Sequence, residues 1–113
     1  MHKNDPNNLN EQLVIAAGKG DLNQVSLLVS ANAGVHHKNK YGETALISAA
    51  RYDRRDVCEL LVANRADVNA KNRRGETALI SAAFYGCVEA CELLVSKTTE
   101  QICMRKTTMR TQH

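Results

Sequence analysis

Aromatic side chains are scarce in this chain, and tryptophan is absent. Only 4% of the 113 residues are aromatic, whereas 43% are hydrophobic, so any core must consist of Leu, Val, Ile and Ala. Small aliphatic side chains of this kind suit helices that pack closely. A single proline and six glycines argue against a disordered chain. The length is sufficient for one small domain.

Long hydrophobic runs are also missing. No run approaches the roughly 18 apolar residues of a membrane helix, and residues 2–8 are too polar for the start of a signal peptide. We therefore expect a cytoplasmic protein in which Cys58, Cys87, Cys91 and Cys103 are free thiols. A mature secreted form that has lost its signal is the alternative.

Charge of one sign is only weakly in excess. The formal net charge is +3, and the excess lies in residues 38–86, which hold nine basic and six acidic side chains. This balance is too mild to require a nucleic-acid partner, and the chain carries no nucleic-acid motif.

The arrangements that support catalysis or cofactor binding are absent as well. No His–Cys, His–Ser or paired-carboxylate pattern has a defined geometry, and no glycine-rich phosphate loop is present. His36 and His37 are adjacent on an extended connection and point to opposite faces. Cys87 and Cys91 are four residues apart, but without a nearby histidine they form only half of a zinc site. We predict a protein that is not an enzyme and binds no cofactor or metal.

The chain does contain an internal repeat. The nine residues 42–50 return letter for letter as residues 75–83, at an offset of 33. A fainter copy lies another 33 residues upstream, with Leu13, Ala16 and Ala17 at matching positions. Self-similarity at this period predicts a stack of equivalent supersecondary units.

Apolar spacing and turn residues predict two short helices in each unit. The six helices are expected over residues 10–17, 22–30, 45–51, 56–64, 78–84 and 88–96. Thr44 and Thr77 are good N-caps for the third and fifth of them. We predict a flexible segment over 1–9, repeats over 10–41, 42–74 and 75–97, and a basic tail over 98–113.

This pattern resembles the ankyrin repeat. The residues that carry the resemblance are Gly42-x-Thr44-x-Leu46-x-x-Ala49-Ala50, Leu60-Leu61 and Ala66-Asp67-Val68-Asn69. The resemblance implies an all-α solenoid of about three stacked helix-turn-helix-hairpin repeats. The chain departs from the family pattern where Thr-Ala-Leu-Ile replaces Thr-Pro-Leu-His. Arg65 also stands where the family usually has a glycine with a left-handed backbone, at a cost of about 1–2 kcal/mol.

The resemblance further implies that hairpin tips and first helices line a concave surface that binds partner proteins. The basic residues of the two tips and all four aromatic residues fall on this surface in the repeat register. Exposed tyrosine and phenylalanine beside arginine are typical of protein-binding hot spots. The residues expected to contact a partner are Lys38, Lys40, Tyr41, Arg51, Tyr52, Lys71, Arg73, Arg74, Phe84 and Tyr85.

The predicted function is therefore non-catalytic binding of a protein with an acidic or mixed surface, by a monomer. In one alternative the aromatic side chains pack on one another between repeats. In a separate alternative the basic tips form only a solvated edge that keeps the chain soluble. Another is a structural role, in which stacks of repeats associate end to end or form part of a longer array. Weak nucleic-acid binding through the same basic residues is the remaining alternative.

Overall fold

The computed structural model describes residues 6–97, which form six helices and no strand. The predicted tail over 98–113 and residues 1–5 lie outside the described residues. The helices are α1 (Pro6–Lys19), α2 (Leu22–Ser30), α3 (Ala45–Arg51), α4 (Arg55–Ala63), α5 (Ala78–Phe84) and α6 (88–97). The first helix of each pair stacks on the next, α1 on α3 and α3 on α5, while α2 packs on α1 and on α4. The predicted all-α stack of three helix pairs is confirmed.

The core repeats with the sequence. We call the first helix of each pair inner (α1, α3 and α5) and the second outer (α2, α4 and α6). Leu28, Leu61 and Leu94 are equivalent residues of the three outer helices, and all are buried. Ala17 and Ala50, equivalent residues of the first two inner helices, are completely buried. Small side chains at these positions let the first helices of neighbouring pairs approach closely, so that the core described here is built without aromatic rings.

Side chains fix where several helices begin. The hydroxyl of Thr44 accepts a hydrogen bond from the backbone of Ile47 at 3.2 Å, and Thr77 accepts the equivalent bond from Ile80, also at 3.2 Å. Both predicted N-caps are confirmed. In addition, Asp53 of the second repeat accepts a bond from the Ala90 N–H in the first turn of α6, at 3.0 Å. One repeat thus helps to start a helix of the next.

Two helix boundaries differ from the prediction. Helix α1 begins at Pro6 and ends at Lys19, so it is longer than the predicted 10–17 and includes part of the segment expected to be flexible. Proline suits the first turn of a helix, because its missing N–H would have no helical partner there. Helix α4 is shifted by one residue, to Arg55–Ala63.

Contacts with the first hairpin also hold α1 in place. Asn10 accepts a hydrogen bond from the backbone of Gly34 at 2.5 Å, and the Glu11 carboxylate lies 2.6 Å from the His37 ring. The second residue after α2 and after α4 is left-handed, as expected: φ is 69° at Asn32 and 72° at Arg65.

Candidate functional site

Asparagine side chains shape the two hairpin tips. Asn39 accepts hydrogen bonds from the backbone of Tyr41 and Glu43, at 2.9 and 3.0 Å. Asn72 makes the same pair of bonds 33 residues later, to Arg74 and Glu76. Asparagine favours such turns because its side chain substitutes for a backbone acceptor. Each tip is therefore specified locally by its own sequence.

The two tips lie side by side and are bonded to each other. The backbone N–H of Arg73 donates to the Tyr41 carbonyl at 3.2 Å, and the Lys38 ammonium donates to the Lys71 carbonyl at 2.8 Å. Gly42 permits this approach, since its φ is +76° and a Cβ there would lie only 2.8 Å from the Arg73 nitrogen. The predicted alignment of the tips is present. Lys38, however, uses its ammonium group in holding them together.

Arg51 is the centre of the helix face beside the tips. Its guanidinium donates to the Glu43 carboxylate at 3.0 Å. Its central carbon lies 5.5 Å from the centre of the Tyr52 ring and 5.2 Å from that of Tyr85. Burial alone would lower the pKa of Arg51, but the Glu43 carboxylate and the two tyrosines outweigh it and the pKa is raised. The guanidinium is therefore a fixed cation bracketed by two rings.

The aromatic side chains are exposed, as predicted. Tyr52 and Tyr85 are 52% and 45% exposed, and Phe84 is 70% exposed. The rings of Phe84 and Tyr85 meet edge to face with centroids 5.0 Å apart. Tyr41 is exposed on its tip, with the Lys40 ammonium 5.3 Å from its ring centre. The alternative in which the rings pack on one another between repeats is not supported by this contact: the two rings that touch belong to the same repeat, and both face solvent.

A groove of about 470 Å³ lies between the second and third repeats on this side. Six of the ten predicted contact residues line it: Tyr41, Arg51, Tyr52, Arg73, Arg74 and Tyr85. The other four are outside the lining: Lys38, Lys40, Lys71 and Phe84. The tips and the helix face thus form one concave surface, and a segment of another protein could lie along it.

Several residues of this groove are not among the ten predicted from the sequence. Asn39 and Asn72 lie in its wall because they make the turns, and Glu43 and Glu76 lie beside them. A signal for the two carboxylates was present in the sequence, since both belong to the repeated block that adjoins the tips.

The cysteines of the described part are buried or partly buried free thiols: Cys58, Cys87 and Cys91. Burial raises the pKa of Cys58 to about 12 and raises that of Cys87 as well, with a smaller contribution from Asp53. A thiol that stays protonated is a poor nucleophile and a poor metal ligand. Within residues 6–97, no group of three or more His, Cys, Asp or Glu side chains could hold a metal ion.

Comparison with known families agrees with the geometry. The family model described as ankyrin repeats, in three copies, matches residues 5–106. The chain belongs to the ankyrin repeat family, whose members generally act as protein–protein interaction modules and are generally not enzymes. A search of curated proteins found no match. None of the helices between residues 6 and 97 combines the length and the apolar character needed to cross a membrane.

Proposed function

We propose that this chain binds a partner protein through the groove between its second and third repeats and the adjoining hairpin tips. The observation that carries the proposal is the cluster that Arg51 forms with Glu43, Tyr52 and Tyr85 beside the aligned tips. It combines a fixed guanidinium, exposed rings and a groove lined by Arg73 and Arg74. Aromatic and arginine side chains contribute the largest share of binding energy in protein interfaces.

The partner is a protein with an acidic or mixed surface. Lys40, Lys71, Arg73 and Arg74 are exposed on the tips. Cations on a rim raise the rate of association with an acidic surface and select against a basic one. We place the protein in the cytoplasm, because a reducing compartment suits buried thiols that are not paired.

Charge reversal at one tip tests the proposal. Changing Arg73 and Arg74 to Glu should abolish capture of the partner from cell extract. The free energy of unfolding should change by no more than about 0.5 kcal/mol, because both side chains are exposed. Wild-type capture should weaken as salt is added.

The matched control reverses two cations outside the groove. Arg55 and Arg65 are exposed and belong to the outer helix and the residues after it. Changing both to Glu alters the net charge by the same amount and should leave capture intact. If both double variants capture equally well, the tips are only a solvated edge and the proposal is wrong.

Self-association is the second candidate, because both ends of the stack expose apolar side chains. Ile15 and Leu27 are exposed on the first repeat, and Ile80 and Val95 on the third. Light scattering over a concentration series tests this candidate. Growth that Val95→Ser abolishes would favour end-to-end stacking, whereas a constant monomer mass would exclude it.

A further inference from the structure

The third repeat lacks one side chain that the second repeat has on the concave surface. Glu76 is the counterpart of Glu43, and Tyr85 follows in the expected place 33 residues after Tyr52. The counterpart of Arg51 is Phe84. The third repeat therefore retains a carboxylate and a ring, but not the guanidinium that binds both in the second repeat.

The second repeat shows how this surface holds a guanidinium. That of Arg51 donates to Glu43 at 3.0 Å and lies within 5.5 Å of two ring centres. A charge-assisted hydrogen bond and cation–π contacts act on the same planar group. Lysine would reproduce only part of this arrangement, because its ammonium can lie over a ring but does not present a planar fork.

The carboxylate of the third repeat has no such cation. Among the described residues, Glu76 accepts a side-chain hydrogen bond only from the amide of Asn72, at 3.1 Å, and forms no ion pair. Glu76 is partly exposed and lines the groove together with Tyr85. The Tyr85 ring already lies 5.2 Å from the central carbon of Arg51, but it is still 45% exposed. Phe84 cannot pair with Glu76, and the Phe84 side chain is 70% exposed. A carboxylate and a ring that face the same groove form an incomplete copy of the Arg51 site.

We propose that an arginine of the partner completes this site, pairing with Glu76 and stacking on Tyr85. The inference rests on the proposed function and specifies its partner. That partner presents an arginine flanked by acidic side chains. The arginine enters the groove of the third repeat, and the acidic side chains meet the cations of the tip.

The nearby cations set the sequence context of that arginine. Arg73 and Arg74 line the same groove, and their positive charges repel the guanidinium of an incoming arginine. Arg51 already lies in this groove beside them, neutralised by Glu43. An isolated arginine would therefore bind weakly here, whereas acidic neighbours on the partner offset the repulsion.

A pair of synthetic peptides tests the inference. One carries a single arginine flanked by glutamates; the other carries citrulline, which has the same shape without the charge, in its place. Calorimetric titration of the full chain should show that the arginine peptide binds about tenfold more tightly, as expected when one charged hydrogen bond is added. Glu76→Gln should remove this preference.

A variant that fills the site from within provides the sharpest test. Phe84→Arg restores the glutamate–arginine pair of the second repeat inside the third, so the preference for the arginine peptide should be lost. Val88→Arg adds the same charge on an exposed side chain of α6 that does not line the groove, and it should retain the preference. The thermal unfolding of each variant shows whether it is folded.

The outcomes separate this inference from the proposed function. Equal affinity of the two peptides for the wild-type chain, or a preference that survives Glu76→Gln, overturns the inference. If the peptides bind equally and both are lost on changing Arg73 and Arg74 to Glu, binding at the tips stands and only the arginine site is wrong. If neither peptide binds, the inference falls, and the capture experiment decides the proposed function.

Discussion

Two stretches of this chain have the same sequence and different surroundings. Residues 42–50 and 75–83 are identical, and each contains a threonine cap and the first six residues of a seven-residue helix. Yet Ile47 is 1% exposed and Ile80 is 48% exposed, and Ala50 is buried whereas Ala83 is not. The local sequence determines the helix and its cap. The neighbouring repeat determines how much each side chain contributes to stability.

The largest expected effect comes from the two isoleucines. Ile47→Ala should lower the free energy of unfolding by about 3 kcal/mol, because it removes buried methyl groups and leaves a cavity. Ile80→Ala should cost less than about 1 kcal/mol, since half of that side chain already faces solvent. Urea unfolding of both variants measures the difference. Equal losses would mean that another part of the protein covers the third repeat.

Gly42 and Gly75 precede the two capped helices, and replacing the glycine of the second repeat should again destabilise the protein more than replacing that of the third. Both have a left-handed backbone, with φ of 76° and 78°, so alanine is strained at either position. We expect Gly75→Ala to cost about 1 kcal/mol, because nothing lies within 4 Å of the added Cβ. Gly42→Ala should cost roughly 2 kcal/mol, since its Cβ would press on the backbone of Arg73. Thermal unfolding of the two variants checks this order.

The position of Cys58 in the second repeat is occupied by Val25 in the first. Burial raises the pKa of Cys58 from 9.0 to about 12, so between these values the unfolded chain loses a proton that the folded chain keeps. The contribution of Cys58 to the free energy of unfolding should therefore be constant below pH 9 and fall by about 1.4 kcal/mol per pH unit between pH 9 and pH 12.

Cys58→Val isolates this alkaline loss. Valine adds one heavy atom, but Val25 occupies the equivalent buried position of the first repeat, so the substitution should change stability by less than about 1.5 kcal/mol at pH 7.5. At pH 10 it should recover about 1.4 kcal/mol relative to the wild-type chain. A smaller alkaline loss remains in the variant, since burial also raises the pKa of Cys87. Urea unfolding at the two pH values measures the recovery, and parallel losses in both proteins would show that the Cys58 thiol has no part in them.

The fold was largely predictable because the repeat carries its own signals. The repeated block predicted α3 and α5 to the residue, and the threonine caps marked where they begin. Helix α1 was predicted too short, since its first turns are polar and carry no apolar period. Asn10 and Glu11 hold these turns in place by bonding Gly34 and His37, which lie 24 and 26 residues further along the chain. Hydrophobic periodicity carries no information about contacts of this kind.

The candidate site was predicted in outline but not in its pairing. The 33-residue offset between repeats predicted that the tips lie side by side and that the rings lie outside the core. It did not reveal that Lys38 bonds the next tip or that Arg51 pairs with Glu43. Those contacts depend on which rotamers two long side chains adopt together, and neither side chain indicates its partner by spacing alone.

The bond from the Arg73 N–H to the Tyr41 carbonyl has a consequence for how this surface can vary. Surface loops ordinarily tolerate added residues. Here the second hairpin tip is hydrogen-bonded to the first, so a single inserted residue in either tip would break the alignment of the two. New specificities on this scaffold can therefore be reached by exchanging side chains, while the length of each hairpin stays constant.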